Sequence, residues 1–158
     1  MDLDLIKHKM QSKSIYFSDD KILGKPTVIA YEKKVRWRWF LTQLNTFIVA
    51  TDFSDREISK ELIQRHLKHS LKYAFKNYDG WVGGIRAGIG VISILISDRI
   101  NDEAKEYCLK LGVDEMWAQF PVPVVIDSKT GEFYSFEKMP LWGSLYYPHF
   151  NKLINSLK

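Results

Sequence analysis

Two histidines one helical turn apart, a lone cysteine, a cluster of glycines and a row of lysines are where this chain could do chemistry. His66 and His69 stand three residues apart, a spacing that puts both imidazoles on one side of a helix and would let them share a metal ion. No HExxH spacing or nearby third ligand accompanies them. Gly83, Gly84, Gly88 and Gly90 offer bare amides of the kind that cradle phosphate, but they precede an apolar strand instead of following one. Neither GxGxxG nor GxxxxGKS/T is present, so the glycines are assigned to a turn and to close strand packing. Cys108 sits among Ala104, Tyr107 and Leu111 with no local group to stabilise a thiolate, and reads as a small core residue. No serine lies in a GxSxG context, and His8 and His149 stand alone.

Carboxylates followed by an acid, any residue and lysine occur twice: Asp19 or Asp20 with Glu32 and Lys34 after VIAY, and Asp114 with Asp127 and Lys129 after VPVVI. Both places resemble the motif of the restriction-endonuclease-like PD-(D/E)xK nucleases. The resemblance implies a catalytic set of Asp20, Glu32 and Lys34 at the first place, which lies nearest the basic residues 33 to 38. Two carboxylates would hold Mg or Mn while the lysine positions the attacking water. No cofactor is expected outside this reading. Against it, Glu32 to Lys34 and Asp127 to Gly131 have the composition of solvated hairpin turns, whereas the family places its acid and lysine within a strand.

A third group is basic. Arg65, Lys68, Lys72 and Lys76 project onto the side of a helix opposite its apolar stripe. With Arg36, Arg38, Lys33 and Lys34 they could meet phosphates while Trp37 or Trp39 stacks on bases; a solvated helix face and core-filling tryptophans are the alternative uses. Trp142, Tyr146, Tyr147 and Phe150 gather near the C-terminus and, with Trp81 or Trp117, could line a pocket or a dimer surface.

These residues need a scaffold, and the sequence outlines one. Ile89 to Ser97 is nearly all apolar and rich in β-branched residues, which fits a strand buried on both faces, and the run is too short to cross a bilayer. Before it, strands are expected from Ser14, stopping at Ser18 to Asp20, then over Thr27–Tyr31, Val35–Leu41 and Thr46–Thr51, with Glu32 to Lys34 turning the middle hairpin. Ser54 and Glu57 have capping-box spacing, so a helix is predicted from there to about Tyr78, burying Ile63, Leu67, Leu71, Ala74, Phe75 and Tyr78. After the central strand, Asn101 or Asp102 caps a helix that Gly112 ends. Val122–Ile126 returns parallel, and residues 127–131 turn into a last strand over Glu132–Phe136. Short helices are expected over residues 3 to 11 and near the C-terminus, where Phe150, Leu153, Ile154 and Leu157 recur at packing intervals.

The expected fold is therefore α/β (or α+β): one domain over residues 1–158 with a mixed sheet of about five to six strands. A long amphipathic helix packs on the sheet, a β-α-β unit spans residues 88–127, and a short C-terminal helix closes one side. A chain of 158 residues with 46% hydrophobic content can bury a core without staples, and a single cysteine forms no internal disulfide. The net charge of +4 permits an anionic partner without requiring one. No membrane-spanning stretch or secretory leader is read, and a cytoplasmic location is the expectation. The functional expectation is a binding or interaction module, with an aromatic-rich pocket or self-association surface and itself or an unidentified ligand as partner. A metal-dependent nuclease and a non-catalytic nucleic-acid-binding protein are the alternatives.

Overall fold

In the computed structural model, which describes residues 1–35, 43–79, 87–111, 119–138 and 144–158, one mixed sheet runs in the order β1-β2-β3-β4-β5-β6. Its strands are β1 Tyr16–Ile22, β2 Lys25–Val35, β3 Gln43–Asp52, β4 Ala87–Ser97, β5 Gln119–Asp127 and β6 Phe133–Tyr134. The helices are α1 Leu3–Ser12, α2 Lys60–Asn77, α3 Asp102–Leu109 and α4 Tyr147–Asn155. The first three strands are an antiparallel meander, β3, β4 and β5 are parallel, and β6 returns antiparallel. This is the expected α/β architecture.

β4 lies between β3 and β5, and its side chains alternate between two cores. Ile92, Ile94 and Ile96 meet Ile6 and Met10 of α1 and Phe150, Leu153 and Ile154 of α4. Ile89, Val91 and Leu95 face the other way, into clusters that include Ala74 and Ile63 of α2 and Ala104 and Cys108 of α3. Helices on both faces explain why this strand lacks a polar side. On β5, Pro121 and Pro123 share the parity of Asp127, whose N–H bonds to Glu132 O beyond β5. Their missing donors therefore point away from β4, toward an edge that β6 pairs only at Val125 and Ile126.

The structure corrects several local expectations. Ser18 to Asp20 do not stop β1; the strand continues to Ile22 and turns at Leu23 and Gly24, both with positive φ (54° and 75°), as a two-residue hairpin requires. Glu32 to Lys34 are not a turn but lie within an unbroken β2, paired with Thr46, Asn45 and Leu44. The arm expected over 35–41 lies outside the described residues beyond Val35, as does Gly112.

α2 starts five residues later than the capping-box spacing suggests. Asp52 caps the N–H of Ser54 (2.8 Å), and Ile58 is drawn into a short parallel bridge with Ile100, so the chain is extended until Ser59 caps Leu62 N (3.3 Å). The buried arc is also rotated from the predicted stripe. It comprises Leu62, Ile63, His66, Leu67, Ser70 and Ala74, and Phe75 is left 43% exposed.

The rotation has a polar cause. His66 is fully buried and bridges Thr51 Oγ1 through Nε2 and Ser93 Oγ through Nδ1, each at 2.7 Å. Thr51 continues to Thr27 Oγ1 at 2.8 Å, so one hydrogen-bonded chain ties β2, β3 and β4 to α2. Counting protons orders it. Thr27 gives its proton to Lys25 O (3.0 Å), so Thr51 donates to Thr27 and must itself accept from His66 Nε2–H. His66 Nδ1 is then the acceptor for the Ser93 hydroxyl. The chain is satisfied by a neutral imidazole, and burial, with a smaller push from the charge of His69, lowers its pKa from 6.5 to about 3.

Between those two values the unfolded chain takes up a proton at His66 that the folded chain refuses. Stability therefore falls as the pH falls through this window, by about 1.4 kcal/mol per pH unit. Chemical denaturation of the wild type and His66→Gln at pH 7 and pH 4.5 tests this. The wild type is expected to lose about 2–3 kcal/mol more than the variant between the two pH values, and equal losses would contradict it.

Candidate functional site

The polar end of β2 gathers one of the predicted sets. Glu32 and Lys34 project toward α4, where Lys34 Nζ lies 3.2 Å from Glu32 Oε1 and His149 Nε2 lies 2.8 Å from Glu32 Oε2. The approach of His149 is of ion-pair range. The neighbouring imidazole is the first cause that holds Glu32 below the usual carboxylate range; burial opposes it and Lys34 assists. Thr46, opposite Glu32 in register, is 1% exposed, and its hydroxyl has no hydrogen-bond partner among the described residues. α4 comes this close because Gly90 has no side chain: a Cβ there would lie 2.5 Å from the Phe150 ring.

The nuclease-like set does not converge. Asp20 pairs in register with Thr27, whose side chain joins the His66 chain on the α2 face, whereas Glu32 reaches α4 on the opposite face. Glu32 lies five steps along β2 from Thr27, roughly 16 Å, too far for Asp20 and Glu32 to share a cation. Asp19 faces α1 and pairs with Lys7. At the second place, Asp127 accepts from Lys129 N (2.8 Å) and Thr130 N (3.1 Å) as a turn cap, while Lys129 Nζ pairs with Asp98 at 3.0 Å. Asp114 lies outside the described residues. Among the described residues no three His, Cys, Asp or Glu are placed to hold a metal. His66 spends both nitrogens inside the core while His69 is exposed, so the two do not form a ligand pair. Cys108 is buried and its thiol is pushed up to about 12 by burial, which removes it as a nucleophile at neutral pH.

The basic face of α2 forms as predicted. Arg65, Lys68, Lys72 and Lys76 are all exposed, opposite the buried arc, and recur every three or four residues, about 4.5–6 Å of helix rise. Their alignment sets them apart. Lys7, Lys25, Lys33, Lys34, Lys60, Lys105, Lys110 and Lys129 each reach a carboxylate; among the described residues none of the four does so, nor do the scattered Lys13, Lys21, Lys138 and Lys152. Lys68, Lys72 and Lys76 are stacked at i, i+4 spacing, where like charges repel by a few tenths of a kcal/mol per pair. His69 and Phe75 flank the row and are exposed. Arg36, Arg38, Trp37, Trp39 and Trp142 lie outside the described residues, as do Trp81 and Trp117.

The C-terminal aromatics are used largely for packing. Tyr147 and Phe150 are buried, edge-on to each other at 5.6 Å, with Tyr147 also edge-on to Phe136. Half-buried Tyr146 lies against Phe120 at 4.7 Å. Sequence reasoning missed the meeting of His149, Thr46 and Glu32, which only the docking of α4 creates, and the exposure of Phe75. No protein-family profile, curated protein or solved structure matches this chain.

Because the folded-state pKa of Glu32 is depressed, its ion pairs stabilise the fold above the ordinary glutamate range, and that contribution disappears as the pH falls through the folded value. Glu32→Gln is expected to melt below the wild type at pH 7, with the gap smaller at pH 3. A gap of the same size at both pH values would show that Glu32 acts through packing alone.

Proposed function

We propose that the protein is a binding module whose partner is anionic, held against the outer face of α2. The observation that carries this reading is the row Arg65, Lys68, Lys72 and Lys76, aligned on one exposed helix face and without a carboxylate among the described residues. A stable helix gains nothing from an uncompensated row of this kind; a polyanion would relieve the repulsion and release its own counterions. The net charge of +4 favours the same class of partner. A polynucleotide backbone, with charges repeated along its length, matches a linear row better than a compact anion does.

The aromatic-pocket and self-association readings draw less support, since Tyr147 and Phe150 are committed to the core. The edge strand β1 presents Asp19, Asp20 and Lys21 and carries a register shift at Tyr16/Ser18, features that discourage strand-to-strand pairing between copies. The nuclease reading loses its cation site with the separation of Asp20 from Glu32.

Titration of fluorescently labelled oligonucleotides over a range of salt concentrations tests the proposal. Binding should weaken with a slope of log K against log salt of roughly −2 to −3 for single strands, and Lys72→Gln with Lys76→Gln should reduce that slope by about 1.4. Binding that ignores both changes, or no binding at low salt, would overturn the reading. Cleavage in the presence of Mg or Mn that is lost in Glu32→Ala would replace it with the nuclease alternative.

A further inference from the structure

Phe75 is the residue that the rotation of α2 leaves without a place in the core. It is 43% exposed, and no other described aromatic ring packs against its own. Phe17, similarly exposed at 44%, differs in that its ring lies edge-on to Tyr31 at 5.9 Å and Phe47 at 6.3 Å. On the helix, Phe75 follows Lys72 by three residues and precedes Lys76 by one, so its ring borders the cationic row at its C-terminal half. His69, exposed one turn after Arg65, borders the other side of the row.

From this placement, and resting on the anionic-partner reading above, we infer that the α2 face selects single-stranded nucleic acid, with Phe75 as a stacking platform for a base whose flanking phosphates lie on Lys72 and Lys76. Cations alone would not distinguish a duplex from a single strand of similar charge. A flat apolar ring beside them does: a base in a duplex already has both π-faces covered by its neighbours, while an unpaired base can swing onto a side chain. A lipid surface fits less well, because helices that lie in a bilayer carry a broad apolar face, and here one ring stands among four cations. Base stacking is tolerant of sequence, so the selection is for strandedness and not for a particular base.

The experiment compares wild type, Phe75→Ala, Phe75→Trp and the double variant Lys72→Gln/Lys76→Gln. Each is titrated against a labelled 20-nucleotide oligo-dT, the matching oligo-U, a 20-base-pair duplex and phosphatidylserine vesicles. Phe75→Ala should bind both single strands at least about 5-fold more weakly with an unchanged salt slope. Its duplex binding should stay the same, and Phe75→Trp should restore or exceed wild-type binding. Circular dichroism of each variant confirms that α2 is intact, as expected for an exposed position. If salt-dependent binding is present but Phe75→Ala weakens single strand and duplex alike, or neither, the stacking role is wrong and the cationic row stands alone. If no polynucleotide binds, or only the vesicles do, the underlying reading fails as well.

Discussion

The structure turns on a buried imidazole that must stay neutral. His66 is the point at which a helix and three strands share one hydrogen-bonded chain, Thr27–Thr51–His66–Ser93, with every member 1% exposed or less. A buried polar group left unpaired costs about 1–3 kcal/mol, so such a chain stabilises the fold only when complete. Completeness demands one rotation of α2 about its axis and one register among β2, β3 and β4. An apolar stripe slides and turns more cheaply than that. The chain therefore selects among packings that hydrophobic burial alone would leave close in energy.

The outward face of α2 follows from the inward one. Once His66 and Ser70 are at the centre of the buried arc, Arg65, Lys68, Lys72 and Lys76 are carried to the opposite side, and Phe75 is carried out with them. The proposed binding face is in this sense a consequence of the core. On the other side of the sheet, Gly90 lets Phe150 lie directly on β4, which brings His149 to Glu32 and closes α4 over the polar end of β2.

Much of the architecture was legible because it rests on patterns that sequence carries openly. The apolar run of β4, the Asn101 cap of α3 and the returning β5 come from local composition and spacing, and each formed as expected, with Asn101 Oδ1 accepting from Ala104 N at 2.8 Å. What could not be read depends on long-range partners. Glu32 to Lys34 have turn-like composition, and only pairing with Leu44 to Thr46 keeps them extended. The bridge of Ile58 to Ile100 delayed α2 past a sound capping box. The helix phase was misjudged because a hydrophobic count gives no weight to a histidine and a serine that are buried through hydrogen bonds. The candidate chemistry split in the same way. The row on α2 is local and lies on one exposed face, while the Asp20, Glu32 and Lys34 set required a convergence across two faces of a sheet that local spacing cannot report.

The measurement that bears most directly on this account is the tautomer and charge of His66, read from long-range proton–nitrogen NMR correlations of the four imidazoles as the pH is lowered from 7 to 4. The hydrogen-bond order predicts one imidazole that is neutral, carries its proton on Nε2 and does not change across that range. His66 found with its proton on Nδ1, or titrating near 6.5 like an exposed histidine, would mean that the chain is not closed as described, and that nothing fixes the rotation of α2 on which the proposed face depends.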